Sequence, residues 1–272
     1  MKLQRMLMPL AILSFLTTAA VDAHAQAAQP VKPYEDMSRQ ERLVFVGEQA
    51  RRIAREMSGN EYEFTTDFEQ DIQKAVTHYA QRVGNRPERA GRTDLRVVLE
   101  RGQTHAPLLI AVFKANRVSP LIGLYLPWIE SEYINIQTPS PAGALGMFQI
   151  LPSTGEHYGL SEQELLDVGK SADAAARYIT NSMQTFIGDP MKEALALLAY
   201  NRGSQKTARE LKVLLNDQNK RCSICAMTAD RSKLDETFRS ESVFYLPRFF
   251  AAAIIGENPQ VFGIQMQPLS SN

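Results

Sequence analysis

Hydrophobic positions recur at helical spacing over most of this chain. Ser38, with Glu41 three residues on, forms a capping-box signal. Leu43, Val46, Ala50, Ile53 and Met57 then follow at steps of three and four, which puts them on one helix face, and Ser58-Gly59-Asn60 ends the run. Thr66 with Glu69 repeats the capping signal, and Phe68, Ile72, Val76, Tyr79 and Val83 predict a second amphipathic helix. Residues 84–91 read as a polar turn. Two short helices are expected next, near 94–100 and 106–116.

A different pattern begins at Pro120. Leu121, Ile122, Leu124, Leu126, Trp128 and Ile129 surround their helix on most sides, so it should run through the interior. Between 136 and 146, Thr138, Pro139, Ser140, Pro141, Gly143 and Gly146 mark turns and extended chain, the place where any strands would lie. Helical patterning resumes at 161–168 and 171–186. Asp189 and Pro190 read as N-cap and first position of an apolar helix over 191–201, with Gly203 as its stop. An amphipathic helix over 204–215, a polar stretch over 216–240 and a last helix over 243–255 complete the pattern. The tail from Gly263 carries no clear signal. The expected fold is mainly α with little or no β, and the composition shift near residue 118 is the best boundary.

The amino-terminus reads as a leader. Lys2 and Arg5 precede an almost wholly apolar run from Met6 to Ala20, and Ala23-His24-Ala25 offers a small-x-small cleavage site. This is the layout of a secretory signal peptide, and the run falls short of the ~20 residues that a membrane span needs. The expected address is the periplasm, with no lipid anchor because no Cys follows the run. Thirty basic and thirty acidic residues balance in the 272-residue chain. Removing residues 1–25 changes that balance little, so there is no basic field for nucleic acid.

Cys222 and Cys225 are the chain's two cysteines. An oxidising compartment favours a local disulfide between them. No thioredoxin-like strand pattern surrounds them to support a redox pair, and the further ligands of a zinc site are missing.

Four features could carry chemistry. Glu130 ends the most apolar helix, where burial should raise its pKa and keep it protonated near neutrality, as cleavage of a glycosidic bond requires. The alternative is a Glu that reaches the surface or pairs with a buried Arg. In the run Ser140 to Gln149, small residues allow close backbone approach, Met147 and Phe148 offer apolar surface to a sugar ring, and Gln149 offers an amide. Asn201, after Ala199-Tyr200, can donate and accept hydrogen bonds, or simply cap its helix. Tyr245, in Phe244-Tyr245-Leu246-Pro247, can present a hydroxyl or be a core aromatic.

Taken in order, Glu130-Ser131, the run ending Gly146-Met147-Phe148-Gln149, Ala199-Tyr200-Asn201 and Tyr245-x-Pro247 resemble the lytic transglycosylases with a goose-lysozyme-like catalytic domain, most of all the membrane-bound D type. The likeness covers about residues 118–256. It implies a lysozyme-like helical domain over 118–256, with a signal peptide at 1–25, a helical region at 26–117 and a tail at 257–272. It implies that Glu130 is the single catalytic carboxyl group, supported by Ser131, with Met147, Phe148, Gln149, Tyr200, Asn201 and Tyr245 binding substrate or supporting the acid. It implies a lyase that cleaves the MurNAc–GlcNAc β-1,4 bond of peptidoglycan strands, leaves 1,6-anhydro ends and needs neither metal nor cofactor. The D type usually carries a lipid-anchor Cys and repeated wall-binding modules, and neither is read here. A specialised role beside a cell-envelope machine is therefore an open expectation. The rival readings are a muramidase that recruits Asp167 or Glu162 as a second carboxylate, and a non-catalytic peptidoglycan-binding scaffold.

Overall fold

The computed structural model describes residues 32–84, 93–214 and 222–272. The expected signal peptide lies outside the described residues. Residues Lys32–Asn272 form one compact unit.

Helix α1 (Arg39–Ser58) starts with the capping box read from the sequence: Ser38 accepts from the Glu41 amide, and Glu41 accepts from the Ser38 amide. Gly59 closes it in the left-handed region at φ 74°. Helix α2 (Thr66–Ala80) is capped by Thr65 rather than Thr66. Glu69 is consequently free of any box and forms a salt bridge with Arg51 of α1. The two short helices expected near 94–100 and 106–116 are a single helix, α3 (Leu95–Ala115). Pro107 lies inside it without ending it, and Gly102 and Ala106 are buried.

Helix α4 (Pro120–Ser131) is the interior helix that its pattern predicts, and ten of its twelve residues are buried. No strand occurs among the described residues. Leu145 and Ile150 instead exchange two backbone hydrogen bonds of 3.0 Å as an isolated bridge and pinch off a tight loop. Helix α5 (Pro152–His157) has no counterpart in the sequence reading. The helix expected over 161–168 is only a 3-10 turn at Glu164–Leu166. Asp167 then caps α6 (Val168–Thr185), which begins earlier than its apolar pattern implied. Helix α7 (Lys192–Arg202) has Met191, not Asp189, as its cap residue, and Gly203 ends it as expected. Asp189 accepts hydrogen bonds from the Met191 amide and the Ser223 hydroxyl.

Helix α8 (Ser204–Leu214) is followed by the short helices α9 (Ser223–Ala229) and α10 (Glu236–Ser240), both within the stretch read as polar loop. A disulfide joins Cys222 and Cys225 at the start of α9. Helix α11 (Tyr245–Glu257) buries every residue except Arg248. Pro247 fits its first turn, where no amide partner is needed.

Helices α4 and α11 form the centre. Helix α11 packs on α2, α4, α1 and α7, while α3 covers α4 and α6. Each large side chain removed from water there contributes roughly 1.5–3 kcal/mol. The α4–α11 crossing is close because Gly256 has no side chain: a Cβ added there would lie 2.3 Å from Tyr125 Cε1. The signal-poor tail docks at the same place. Glu257 accepts from the Tyr125 and Ser270 hydroxyls, and Leu269 is fully buried.

Candidate active site

The end of α4 is unusual in its backbone. Glu132 and Tyr133 follow the helix with φ of 53° and 60°, in a region that non-glycine residues seldom occupy. Two contacts hold them there. Glu132 forms a 2.6 Å salt bridge with Arg82, whose side chain is almost fully buried. The Tyr133 hydroxyl donates to the Leu124 carbonyl at 2.7 Å. Tyr133 therefore turns back into the core and does not extend the helical face of Glu130. Backbone held this way persists only where its surroundings over-determine it, and such places cluster at functional sites.

Glu130 sits in the last turn of α4, partly open to solvent. Burial raises its pKa from 4.5 to about 7, while the Tyr245 hydrogen bond and the Arg248 charge pull it downward. The negative end of the α4 dipole also disfavours the carboxylate. Tyr245, first residue of α11, donates its hydroxyl to Glu130 Oε1. Burial, with the Glu130 charge behind it, holds the Tyr245 hydroxyl well above its ordinary pKa, so it stays a donor. Arg248 lies one helical turn further on and donates to the Ile129 carbonyl at 2.7 Å. One helix thus presents both a hydroxyl and a cation to the acid.

The supporting loop is anchored from two sides. Ser131 Oγ donates to the Met147 carbonyl at 2.7 Å, and Tyr200 Oη donates to the Phe148 carbonyl at 2.8 Å. The bend needs Gly146 at φ 72°, because a Cβ there would lie 2.3 Å from the Leu165 carbonyl oxygen. Gln149, partly exposed at φ 48°, donates one amide hydrogen to Gly146 O at 2.8 Å. Met147 and Phe148 have no exposed surface, and Phe148 stacks on Phe113 at 6.2 Å. They do not offer a sugar a face, as the sequence had suggested. Their backbone carbonyls are what the site uses, and their side chains fix the loop to the core.

Tyr200, behind this loop, feels the Glu130 charge, and burial holds its hydroxyl well above the ordinary value. Asn201 is exposed and accepts from the Ser242 hydroxyl at 2.8 Å, tying the end of α7 to the turn before α11. The structure therefore links Glu130, Ser131, residues 147–149, Tyr200 and Tyr245 in one cluster, with Asn201 at its edge. Cys222 and Cys225 belong instead to α9, which packs on α2 and α8.

Sequence reasoning missed Arg248 and Arg82. Arg248 had a signal, since it is the lone charge in the first turn of an otherwise apolar helix, three residues from Tyr245. Arg82 had none, because its partner Glu132 is fifty residues away. Among the described residues no group of His, Cys, Asp and Glu is arranged to hold a metal ion.

The likeness seen in the motifs is matched by comparison with known proteins. Residues 108–220 match the family model described as Transglycosylase SLT domain. The chain is also 28% identical over 155 residues to membrane-bound lytic murein transglycosylase D of Escherichia coli strain K12. The same protein of Escherichia coli O6:H1 gives the same identity over the same length. These alignments cover 56% of this chain and 31% of each relative, so the chain spans about a third of the length of the curated relatives it matches. Tyr245 and Arg248 lie beyond the stretch matched by the family model. The helices that carry Glu130, Ser131 and the Ala199-Tyr200-Asn201 end of α7 lie within the helical stretch that matches the Transglycosylase SLT domain.

Proposed function

We propose that this chain is a peptidoglycan lytic transglycosylase that cleaves the MurNAc–GlcNAc β-1,4 bond and leaves 1,6-anhydro-MurNAc ends, with Glu130 as its catalytic acid and base. The observation that carries the proposal is the state of Glu130: a carboxyl group held protonated near neutrality by burial, with Tyr245 donating to one oxygen. A general acid works best with a pKa near the working pH.

In the first step Glu130 gives its proton to the glycosidic oxygen as the bond to the anomeric carbon breaks. The carboxylate that remains is stabilised by the Tyr245 hydroxyl and the nearby Arg248 charge. In the second step it takes the proton from the muramic acid's own 6-hydroxyl, whose oxygen bonds to the anomeric carbon and closes the anhydro ring. Glu130 ends protonated again and no water is consumed. Because the nucleophile is part of the substrate, no separate molecule must be captured.

Two of the three other acids that could serve as a second carboxyl group are engaged elsewhere. Glu132 is committed to Arg82, Asp167 caps α6 at the Lys170 amide, and Glu162 is exposed. Hydrolysis on the two-carboxylate plan needs a second carboxyl group about 5–9.5 Å from the acid. Ser131 and Tyr200 position the 147–149 loop through its carbonyls, and the amides of partly exposed Gln149 and exposed Asn201 are the groups offered to sugar hydroxyl or acetamido groups.

Secretion to the periplasm through a leader at residues 1–25, an accessory helical region at 26–117, a catalytic region at 118–256 and a tail at 257–272 complete the proposal. No described helix is long and apolar enough to cross a membrane. Mass spectrometry of fragments released from purified sacculi tests the reading. Anhydro ends are expected from the wild type and no fragments from Glu130→Gln; reducing ends, or fragments from the variant, refute it.

A further inference from the structure

Helix α2 lies outside the matched SLT stretch, yet it forms one wall of a cleft of about 600 Å³ that is also lined by Glu132, two residues after Glu130. The opposite wall is the start of α11, with Phe244, Pro247 and Arg248. Arg248 joins the two places, because the guanidinium that faces the cleft also donates to the carbonyl just before Glu130. A second cleft of about 620 Å³ adjoins the first, and both are lined by Lys74 and His78. Together they make a trough over α2, between Arg248 at one end and the start of α1 at the other.

The trough is basic in a chain whose charges otherwise balance. The first cleft holds Lys74, Arg82 and Arg248 against Asp71 and Glu132. The second adds Arg39 and Arg42 and no carboxylate. Glu132 pairs with Arg82, and Asp71, whose side chain is mostly buried, lies 2.7 Å from Lys74 and 3.9 Å from Arg231, so the cations left over are Arg248, Arg39 and Arg42. Arg42 is held by two carbonyls, those of Tyr34 and Glu35, so its charge is not neutralised. Among the described residues Arg248 has no carboxylate within ion-pair distance, and it opens onto the cleft. Phe244, half exposed at the rim, adds an apolar face. A ligand that fits is extended and carries carboxylates on a partly apolar backbone.

We propose that this trough binds the carboxylate-bearing peptide substituent of the wall strand, so that α2 selects strands whose muramic acid still carries its peptide. The inference rests on the wall-strand reading of the Glu130 site. It gives α2, and through it the region before the SLT domain, a role in substrate choice. Clefts lined by one sign of charge concentrate ligands of the other sign and give specificity more than raw affinity.

Binding measured on Glu130→Gln protein tests this without turnover. The probes are purified glycan strands that keep their peptides and the same strands stripped by an amidase. Peptide-bearing strands should bind more tightly, and the preference should shrink between low and high salt. Adding Lys74→Glu and Arg39→Glu, both exposed positions, should weaken peptide-bearing strands by about fivefold or more and leave stripped strands unchanged. Equal weakening of both probes, or of neither, overturns the proposal. Loss of binding to phosphatidylglycerol vesicles in the same variants, with no discrimination between strands, would assign the trough to a lipid surface and also overturn it. If sacculi yield no anhydro fragments while the peptide preference holds, the catalytic reading fails and the trough stands.

Discussion

Replacing Glu130 by Gln should make the protein more stable at alkaline pH and leave it unchanged at acid pH. Burial lifts the Glu130 pKa from 4.5 to about 7 in the folded protein. Between those two values the folded state holds a proton that the unfolded state has released. Stability therefore falls as pH rises through that window, and the whole cost is present above it. Each tenfold change in acidity is worth about 1.4 kcal/mol, so the ceiling is about 3 kcal/mol. Because Glu130 is partly open to solvent, a cost of about 2 kcal/mol is the working figure. Gln keeps an oxygen to accept from Tyr245 but has no charge to desolvate. Denaturant unfolding of both proteins at pH 4, 6 and 8 checks this. The curves should coincide at pH 4 and separate by about 2 kcal/mol at pH 8, a Tm gain of about 4–8 °C. A difference that does not change with pH, or a variant less stable at pH 8, would mean that Glu130 is not held protonated by burial, and the catalytic argument would lose its basis.

Three other perturbations probe the same arrangement. Cleavage by the wild type should decline above about pH 7 as Glu130 ionises, and Tyr245→Phe should move that decline to higher pH, because the hydroxyl now lowers the Glu130 pKa. The same variant should lose about 10- to 100-fold in kcat, the worth of one hydrogen bond to a charged group, and a pH–rate profile reads both effects. Ser131→Ala removes the 2.7 Å bond to the Met147 carbonyl and leaves that buried acceptor unpaired, so it should cost about 1–3 kcal/mol in thermal or denaturant unfolding. Gly256→Ala should cost a similar amount by forcing Tyr125 away from α11. It should also lower kcat by loosening the Glu130–Tyr245 contact across the same two helices, whereas an unchanged kcat would separate the crossing from the site.

What was legible in the sequence was whatever repeats over a short span. Helix α1 could be read because Ser38 and Glu41 cap each other and its apolar face has a regular period. Helix α4 could be read because Leu121 to Ile129 leave it no polar face, and Glu130 was conspicuous as a carboxylate at the end of that helix. Errors arose where two neighbours could play the same part. Thr65 and Thr66 are both good caps, and only the pairing of Glu69 with Arg51 selects the first. The gap left between the expected helices at 94–100 and 106–116 is continuous helix, because the burial of Gly102 and Ala106 under neighbouring elements cannot be seen locally. Helices α5, α9 and α10 are too short to show a period.

The site was legible in its residue types and not in their roles. Met147 and Phe148 were placed correctly in the chain but assigned to the sugar, since an apolar residue next to a glycine looks the same whether it faces a ligand or the core. Both side chains are buried, and Ser131 and Tyr200 hold the loop by its carbonyls. Arg82 makes the same point over a longer range. It comes from the end of α2, is nearly invisible from outside, and pins Glu132 in a strained conformation two residues after the acid. The helix that supplies Arg82 also forms the wall of the basic trough. The region before the SLT-matched stretch is thus joined physically to the turn that follows Glu130, and a change there should be felt in both strand choice and the geometry of Glu130. A sequence pattern confined to the stretch that matches the SLT model could not have carried that connection, because both of its ends depend on packing between distant helices.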